Sequence, residues 1–322
     1  MLALVIVLGY LAVHFAFAYR EIVVGEEHPT SWRDYVVSWL RKDEIELPKN
    51  EEHRVDILVL GIRGENDVAD GGLLTDTILL ASIDTQTGKA ALVSLPRDLY
   101  IDTQGILANG DKLPIKGKIN EVYEKGYVRN QGLTLATQVF SDLTGVHIDH
   151  AVLFDFQAFS KIVDTLGGVD ITLAKPFSEK NQWGYEFSLP AGKNHLNGEQ
   201  SLYYVRSRFS SSDFDRARRQ QEVIFAIKKK ATDLGFLANP SKITEMLGAL
   251  KGNVRTNIQI WEIKDLLDAT KNLKSETLKT SVLSTDNLLY ETHDPSTGAY
   301  ILLPKGDDFK IIKEYFKTIL QE

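Results

Sequence analysis

The chain has 322 residues, 43% of them hydrophobic and 25% charged, the composition of a folded protein with a sizeable core rather than of a disordered one. With 37 Lys+Arg against 44 Asp+Glu the net charge is -7, so no global field attracts nucleic acid. Cysteine is absent, which removes disulfides, thiolate metal sites and a Cys nucleophile.

Residues 2–19 contain no formally charged side chain and as a helix would extend about 27 Å, close to the thickness of a bilayer core. They read as a transmembrane anchor over 1–20. The alternative is a cleaved signal peptide, because Ala16-Phe17-Ala18 resembles a cleavage site between small residues. Residues 21–52 are mixed and charged, with Trp32, Tyr35, Trp39 and Leu40 spaced for one face of a short amphipathic helix, and read as a juxtamembrane linker.

The remainder, 53–322, reads as a single domain. It opens with a buried strand at 55–62 (VDILVLGI), followed by a loop carrying Glu65, Asp67 and Asp70. Strands at 77–84 and 89–95 are separated by a hairpin-length turn. Helical spacing covers 119–127 and 133–143, a strand follows at 151–154, and an amphipathic helix runs from 156 to 166, where Gly167-Gly168 stops it. A strand at 169–173, a helix beginning near Gly198 with Arg206 and Arg208 at its end, a helix from Ser212 or Asp213 onward, and helices near 241–250 and 260–267 come next. Strands near 278–283 and 300–303 and a helix from Phe309 complete the pattern. Hairpins together with helix-linked strands indicate an α/β protein, an α/β/α sandwich with a central mixed sheet.

The segment 204–221, YVRSRFSSSDFDRARRQQ, concentrates Arg206, Arg208, Arg216, Arg218 and Arg219 in an acidic chain. Two guanidinium groups about 6 Å apart repel by roughly 3 kcal/mol at an effective dielectric near 20, so their convergence needs carboxylates or a bound anion between them. The planar fork of Arg matches phosphate oxygens two at a time. Arg216 and Arg219 lie three apart near a helix N-terminus, whose free N–H groups also favour anions. The segment therefore reads as a phosphate or pyrophosphate site, with ion pairing to Asp213, Asp215 and Glu222 as the competing explanation and the preferred one for Arg218.

Asp76 stands where a Gly-rich loop enters an apolar strand. That placement suits a hard-cation ligand, since Mg²⁺ is commonly held by one or two carboxylates plus phosphate oxygens, and it equally suits a local backbone cap. Arg97 follows Pro96 at the end of a strand and, beside Asp98, reads on its own as half of a structural pair. The chain contains no G-x-x-x-x-G-K-[ST], G-x-S-x-G or H-E-x-x-H. His147, His150 and His195 are scattered among turn residues and read as structural.

In order along the chain stand Thr75-Asp76-Thr77-Ile78-Leu79-Leu80, Ser94-Leu95-Pro96-Arg97-Asp98, Lys118-Ile119-Asn120, 145–150, 163–169, Leu196-Asn197-Gly198-Glu199-Gln200 and the arginine segment. This ordered set resembles the LytR-CpsA-Psr family of bacterial cell-envelope proteins over about 55–230. The resemblance implies an α/β/α catalytic domain outside the cytoplasmic membrane, held by one N-terminal helix. It also implies binding of a polyprenyl-pyrophosphate-linked glycan, Mg²⁺ as cofactor, and transfer of the glycan phosphate to a peptidoglycan hydroxyl. By position, Asp76 matches the family's metal-binding aspartate, while Arg97, Arg206, Arg208, Arg216, Arg219 and Gln220 match its pyrophosphate-binding residues, with Asp76, Arg97 and Arg219 catalytic. The chain departs from the pattern at Leu74, where the family has Arg, and at Gly61-Ile62-Arg63-Gly64, where it has an aspartate. A lipid-pyrophosphate hydrolase and a non-catalytic prenyl-phosphate scaffold or regulator are the other readings. Phe154, Phe156 and Phe159 are available to a prenyl groove or to the core.

Overall fold

In a computed structural model, the described residues are 48–65, 71–235, 246, 248–259, 262, 266 and 278–321. The expected anchor, the segment around Trp32 to Leu40, and Asp67 and Asp70 lie outside them. Among the described residues no helix is long and apolar enough to cross a membrane. The described chain forms two compact units, one of residues 154–255 and one made of the stretches on either side of it.

The flanking unit begins with a meander, β1 (Arg54–Gly61), β2 (Thr77–Asp84) and β3 (Ala90–Ser94), paired antiparallel with Gly61 opposite Thr77. Its apolar runs form the core, in which Leu58, Leu60, Leu79, Leu80 and Val93 are wholly buried. In β1, residues 55, 57 and 59 are only half-buried, so the strand is more one-sided than its apolar run suggests. The turn after β2 closes because Asp84 Oδ1 accepts from the backbone N–H groups of Gln86 and Thr87.

A hairpin of β4 (Tyr100–Ile106) and β5 (Lys112–Lys118) follows, which the sequence reading did not anticipate. Residues 119–121 form a 3-10 turn rather than the start of an α-helix. Then come α1 (Val122–Tyr127) and α2 (Gly132–Thr144), the latter ended by Gly145 in the left-handed region at φ 70. The chain leaves this unit along β6 (His150–Phe154).

In the unit of residues 154–255, α3 (Phe156–Thr165) is capped by Asp155, whose Oδ1 accepts from Ala158 N at 2.7 Å. Next are β7 (Val169–Leu173), the short hairpin β8 (Phe177–Glu179) and β9 (Phe187–Leu189), and β10 (Gly192–Leu196), which pairs antiparallel with β7. Two helices follow, α4 (Gly198–Arg206) and the 21-residue α5 (Asp213–Asp233). Each opens on a reciprocal capping box, Asn197 with Gln200 and Ser212 with Asp215. Phe159, Val163, Val169, Ile171, Leu196 and Val223 form the core of this unit, with Phe154 packed at its edge.

Through β11 (Val254–Thr256) the chain returns to the flanking unit, where Thr256 Oγ1 donates to Ala151 O at 2.8 Å. There follow β12 (Leu278–Val282), the antiparallel pair β13 (Leu289–His293) and β14 (Tyr300–Pro304), and α6 (Lys310–Thr318). The principal sheet has the order β11-β6-β1-β2-β3-β12, and because β12 runs parallel to β3 while β1–β3 are antiparallel, it is mixed. Arg54 ties this sheet to the last helix. Its guanidinium pairs with Asp56 at 2.6 Å and donates to Phe316 O at 3.0 Å, and burial pushes the Asp56 carboxyl above its ordinary range although Arg54 pulls the other way.

Candidate functional site

Asp76 is placed by the backbone on both sides of it. Its N–H donates to Gly61 O at 3.0 Å, and the N–H of Thr75 donates to Asn120 O at 3.0 Å, so the loop from β1 is pinned just before β2 begins. Arg97 stands beyond the end of β3 after Pro96, and since β2 and β3 are paired, the two half-buried side chains meet: Arg97 Nη1 donates to Asp76 Oδ1 at 2.5 Å. On its other side, Arg97 Nε lies 3.7 Å from Asp98 Oδ2, and Asp98 in turn holds Lys118 Nζ. The result is an alternating row of carboxylate and cation. Asp98 is thus shared by two cations.

Among the described residues no group of three or more His, Asp or Glu could hold an ion. Among the described residues, the carboxylate that the sequence singles out for a metal is Asp76, which accepts from Arg97. That donor set fits Mg²⁺, which is characteristically bound through one or two carboxylates with phosphate oxygens and water completing its shell. Arg63 is exposed at the position after Ile62, and Glu65 accepts a hydrogen bond from Tyr127 Oη at 3.1 Å.

The arginine segment lies wholly within the unit of residues 154–255, and its members are held in different ways. Arg206, on the last turn of α4, is sandwiched between rings, with Cζ 4.1 Å from the Phe156 centroid and 4.9 Å from that of Trp183. Arg208 is just past the helix, its N–H donating to Gln182 Oε1 at 2.8 Å and its guanidinium 5.8 Å from the Phe209 ring. Arg216, on the first turn of α5, is 6% exposed and pairs with Asp213 at 2.8 Å.

Arg219 is 8% exposed and committed to the protein: Nε donates to Tyr204 O at 2.9 Å, Nη1 to Ser211 Oγ at 3.1 Å, and Nη2 to Ser207 O. Burial, foremost, pulls its pKa below the ordinary arginine value. Gln220 Nε2 reaches Val205 O at 3.4 Å, and Arg218 forms the expected surface pair with Asp215 at 2.7 Å. Arg219 therefore braces the loop that joins α4 to α5, Gln220 reaches the last turn of α4, and Arg206, Arg208 and Arg216 border the same loop. His195 makes a surface contact, with Nδ1 2.7 Å from Asp170.

Three residues around this loop escaped the sequence reading. Gln182 bridges the segment, donating through Nε2 to Arg206 O at 2.9 Å while accepting from Arg208 N. Trp183 stacks on Arg206 and donates through Nε1 to Ser207 Oγ at 3.2 Å. Glu179 is fully buried and accepts from both the N–H and the hydroxyl of Ser210 at 3.1 Å. The only signal available in the sequence was an acid, an amide and an aromatic close together in a Gly-containing turn.

The chain belongs to the LytR_cpsA_psr family, whose model matches residues 28–314. It is similar to a protein of Enterococcus faecalis named polyisoprenyl-teichoic acid–peptidoglycan teichoic acid transferase TagU, with 28% identity covering 79% of this chain and 78% of that one. It is also similar to Biofilm regulatory protein A of Streptococcus mutans, with 30% identity covering 67% of this chain and 54% of that one. Among solved structures, protein gbs0355 of Streptococcus agalactiae aligns with a TM-score of 0.67 and 25% identity, covering 85% of this chain and 92% of that one.

Proposed function

We propose that this chain transfers a phosphate-linked glycopolymer from a polyprenyl-pyrophosphate carrier to a peptidoglycan hydroxyl. In this reading it is an α/β/α sandwich held at the cell membrane by a single N-terminal helix, residues 1–20, with the domain outside. The observation that carries the proposal is the cation set around the α4–α5 loop of an acidic protein, in which a nine-tenths-buried Arg216 stands at a helix N-terminus. A relative named as a transferase of teichoic acid to peptidoglycan supports the choice of donor and acceptor class.

In the reaction the acceptor hydroxyl oxygen forms a bond to the glycan-bearing phosphorus while the bridging P–O bond of the pyrophosphate breaks. Polyprenyl phosphate leaves with that electron pair, and the hydroxyl proton is lost to solvent. Arg206, Arg208 and Arg216 bind pyrophosphate oxygens and offset the charge that accumulates on them, which phosphoryl transfer requires more than it requires a protein nucleophile. Arg219 keeps the loop in shape. Arg97 orients the Asp76 carboxylate, which would hold Mg²⁺; when bound, the ion supplies charge neutralisation on phosphate oxygens.

The test is lipid carried through purification. The full chain should retain polyprenyl phosphate detectable by mass spectrometry, and Arg216→Ala should retain at least about tenfold less, the usual scale for removing a charge-assisted donor. Equal lipid in both proteins would sink the assignment. Asp76→Asn separates the enzyme from a scaffold: glycan transfer to peptidoglycan should fall about 10²-fold or more with lipid binding retained.

A further inference from the structure

Arg206, besides resting on Phe156, adjoins a row of rings on its Trp183 side. Its guanidinium rests 4.9 Å from the Trp183 centroid, Trp183 lies 5.0 Å from Tyr203 at an interplanar angle of 35°, and Tyr203 lies 5.9 Å from Tyr185. Trp183 and Tyr185 come from the turn joining β8 to β9, and Tyr203 and Arg206 from α4. Trp183 and Tyr203 pack against the core of this unit, and the row runs outward from it. Phe187 belongs to that core, buried and 5.6 Å from Tyr203, whereas Tyr185 is 49% exposed.

Tyr203 is held by a polar group, its Oη donating to Glu199 Oε1 at 2.8 Å. Glu199 is exposed and so keeps acceptor capacity towards solvent.

We propose that Trp183, Tyr185 and Tyr203 form a sugar subsite, on which the pyranose ring attached to the Arg206-bound phosphate stacks with its hydroxyls towards Glu199. The inference rests on the pyrophosphate reading of Arg206 and adds a residue-level basis for choosing the glycan. The chemistry excludes the other parts of such a substrate. A prenyl tail gains nothing beside an exposed carboxylate, and a further phosphate would be repelled by it. A neutral ring with apolar C–H faces and hydroxyl edges matches electron-rich ring faces flanked by acceptors. Trp183, shared between the cation and the rings, fixes the order of phosphate first and sugar second.

Two probes test this on the full chain in detergent, farnesyl pyrophosphate and farnesyl pyrophosphate bearing one N-acetylglucosamine on its terminal phosphate, titrated calorimetrically. The sugar-bearing probe should bind the wild type more tightly. Tyr185→Ala should cut that preference by about three- to tenfold, the scale of one aromatic stacking contact, and Tyr185→Phe should retain it. An unchanged ratio in Tyr185→Ala, or an equal loss of both probes, would overturn the sugar subsite while leaving the phosphate site standing. Binding of neither probe to the wild type would overturn the phosphate reading and the subsite with it.

Discussion

Arg219 differs from its neighbours in what its donors do. One reaches Tyr204 O in α4 and two reach Ser207 O and Ser211 Oγ on the α4–α5 loop, so its charge is spent on shape, whereas Arg206 is oriented by the ring faces of Phe156 and Trp183. The same loop is held from below by Glu179. Burial acts to raise the carboxyl pKa of Glu179, but hydrogen bonds from Ser210, Asn181 and Phe209 outweigh it and hold the group below its ordinary value of 4.5. A carboxyl depressed in the folded state binds fewer protons there than in the unfolded chain. Its stabilisation is complete above about pH 4.5 and is lost as pH falls through the folded value. Glu179→Gln should therefore flatten the loss of stability on acidification, read as urea midpoints at about pH 6 and pH 3. Equal acid sensitivity in the two proteins would remove Glu179 from this role.

At the scale of elements, the contact between α3 and α4 depends on one missing side chain. A Cβ on Gly198 would stand 2.4 Å from Ser160 O and 2.6 Å from Asp164 Oδ2, while the Gly198 N–H donates to Asp164 Oδ1 at 2.7 Å. Gly198→Ala should cost about 1–3 kcal/mol by overpacking, measurable as a lowered urea midpoint. Were it neutral, the close approach of the helices would not be needed. Elements with strong burial were legible in sequence. The apolar runs of β1, β2 and β3 and the periodic faces of α2 and α3 announce themselves because burial selects apolar side chains at fixed spacing. The pairs β4–β5, β8–β9 and β13–β14 were missed or half seen. In β5, KLPIKGK, Leu113 and Ile115 alternate with exposed residues, but Pro114 and Gly117 sit inside the strand and only Ile115 is buried, so propensity does not mark it.

For the whole molecule, the net charge of -7 makes the arginine loop a local exception, and an anion should be recognised there rather than by a diffuse field. Inorganic pyrophosphate at about 100 times its Kd should raise stability by about 2.7 kcal/mol, seen as a higher unfolding temperature, and Arg216→Ala should abolish the shift. Equal shifts in both proteins would place the anion elsewhere.

The ordered motifs of the sequence were enough to identify the family and to single out Asp76, Arg97 and the arginine segment, because residue type and order are properties of the chain itself. What those residues touch was a matter for the tertiary structure. Whether Arg219 faces a ligand or the loop depends on the carbonyls of Tyr204 and Ser207, and those point where the end of α4 puts them. Whether Arg206 meets Trp183 depends on a turn 23 positions earlier folding back over the helix, and no local pattern records a contact made across that separation.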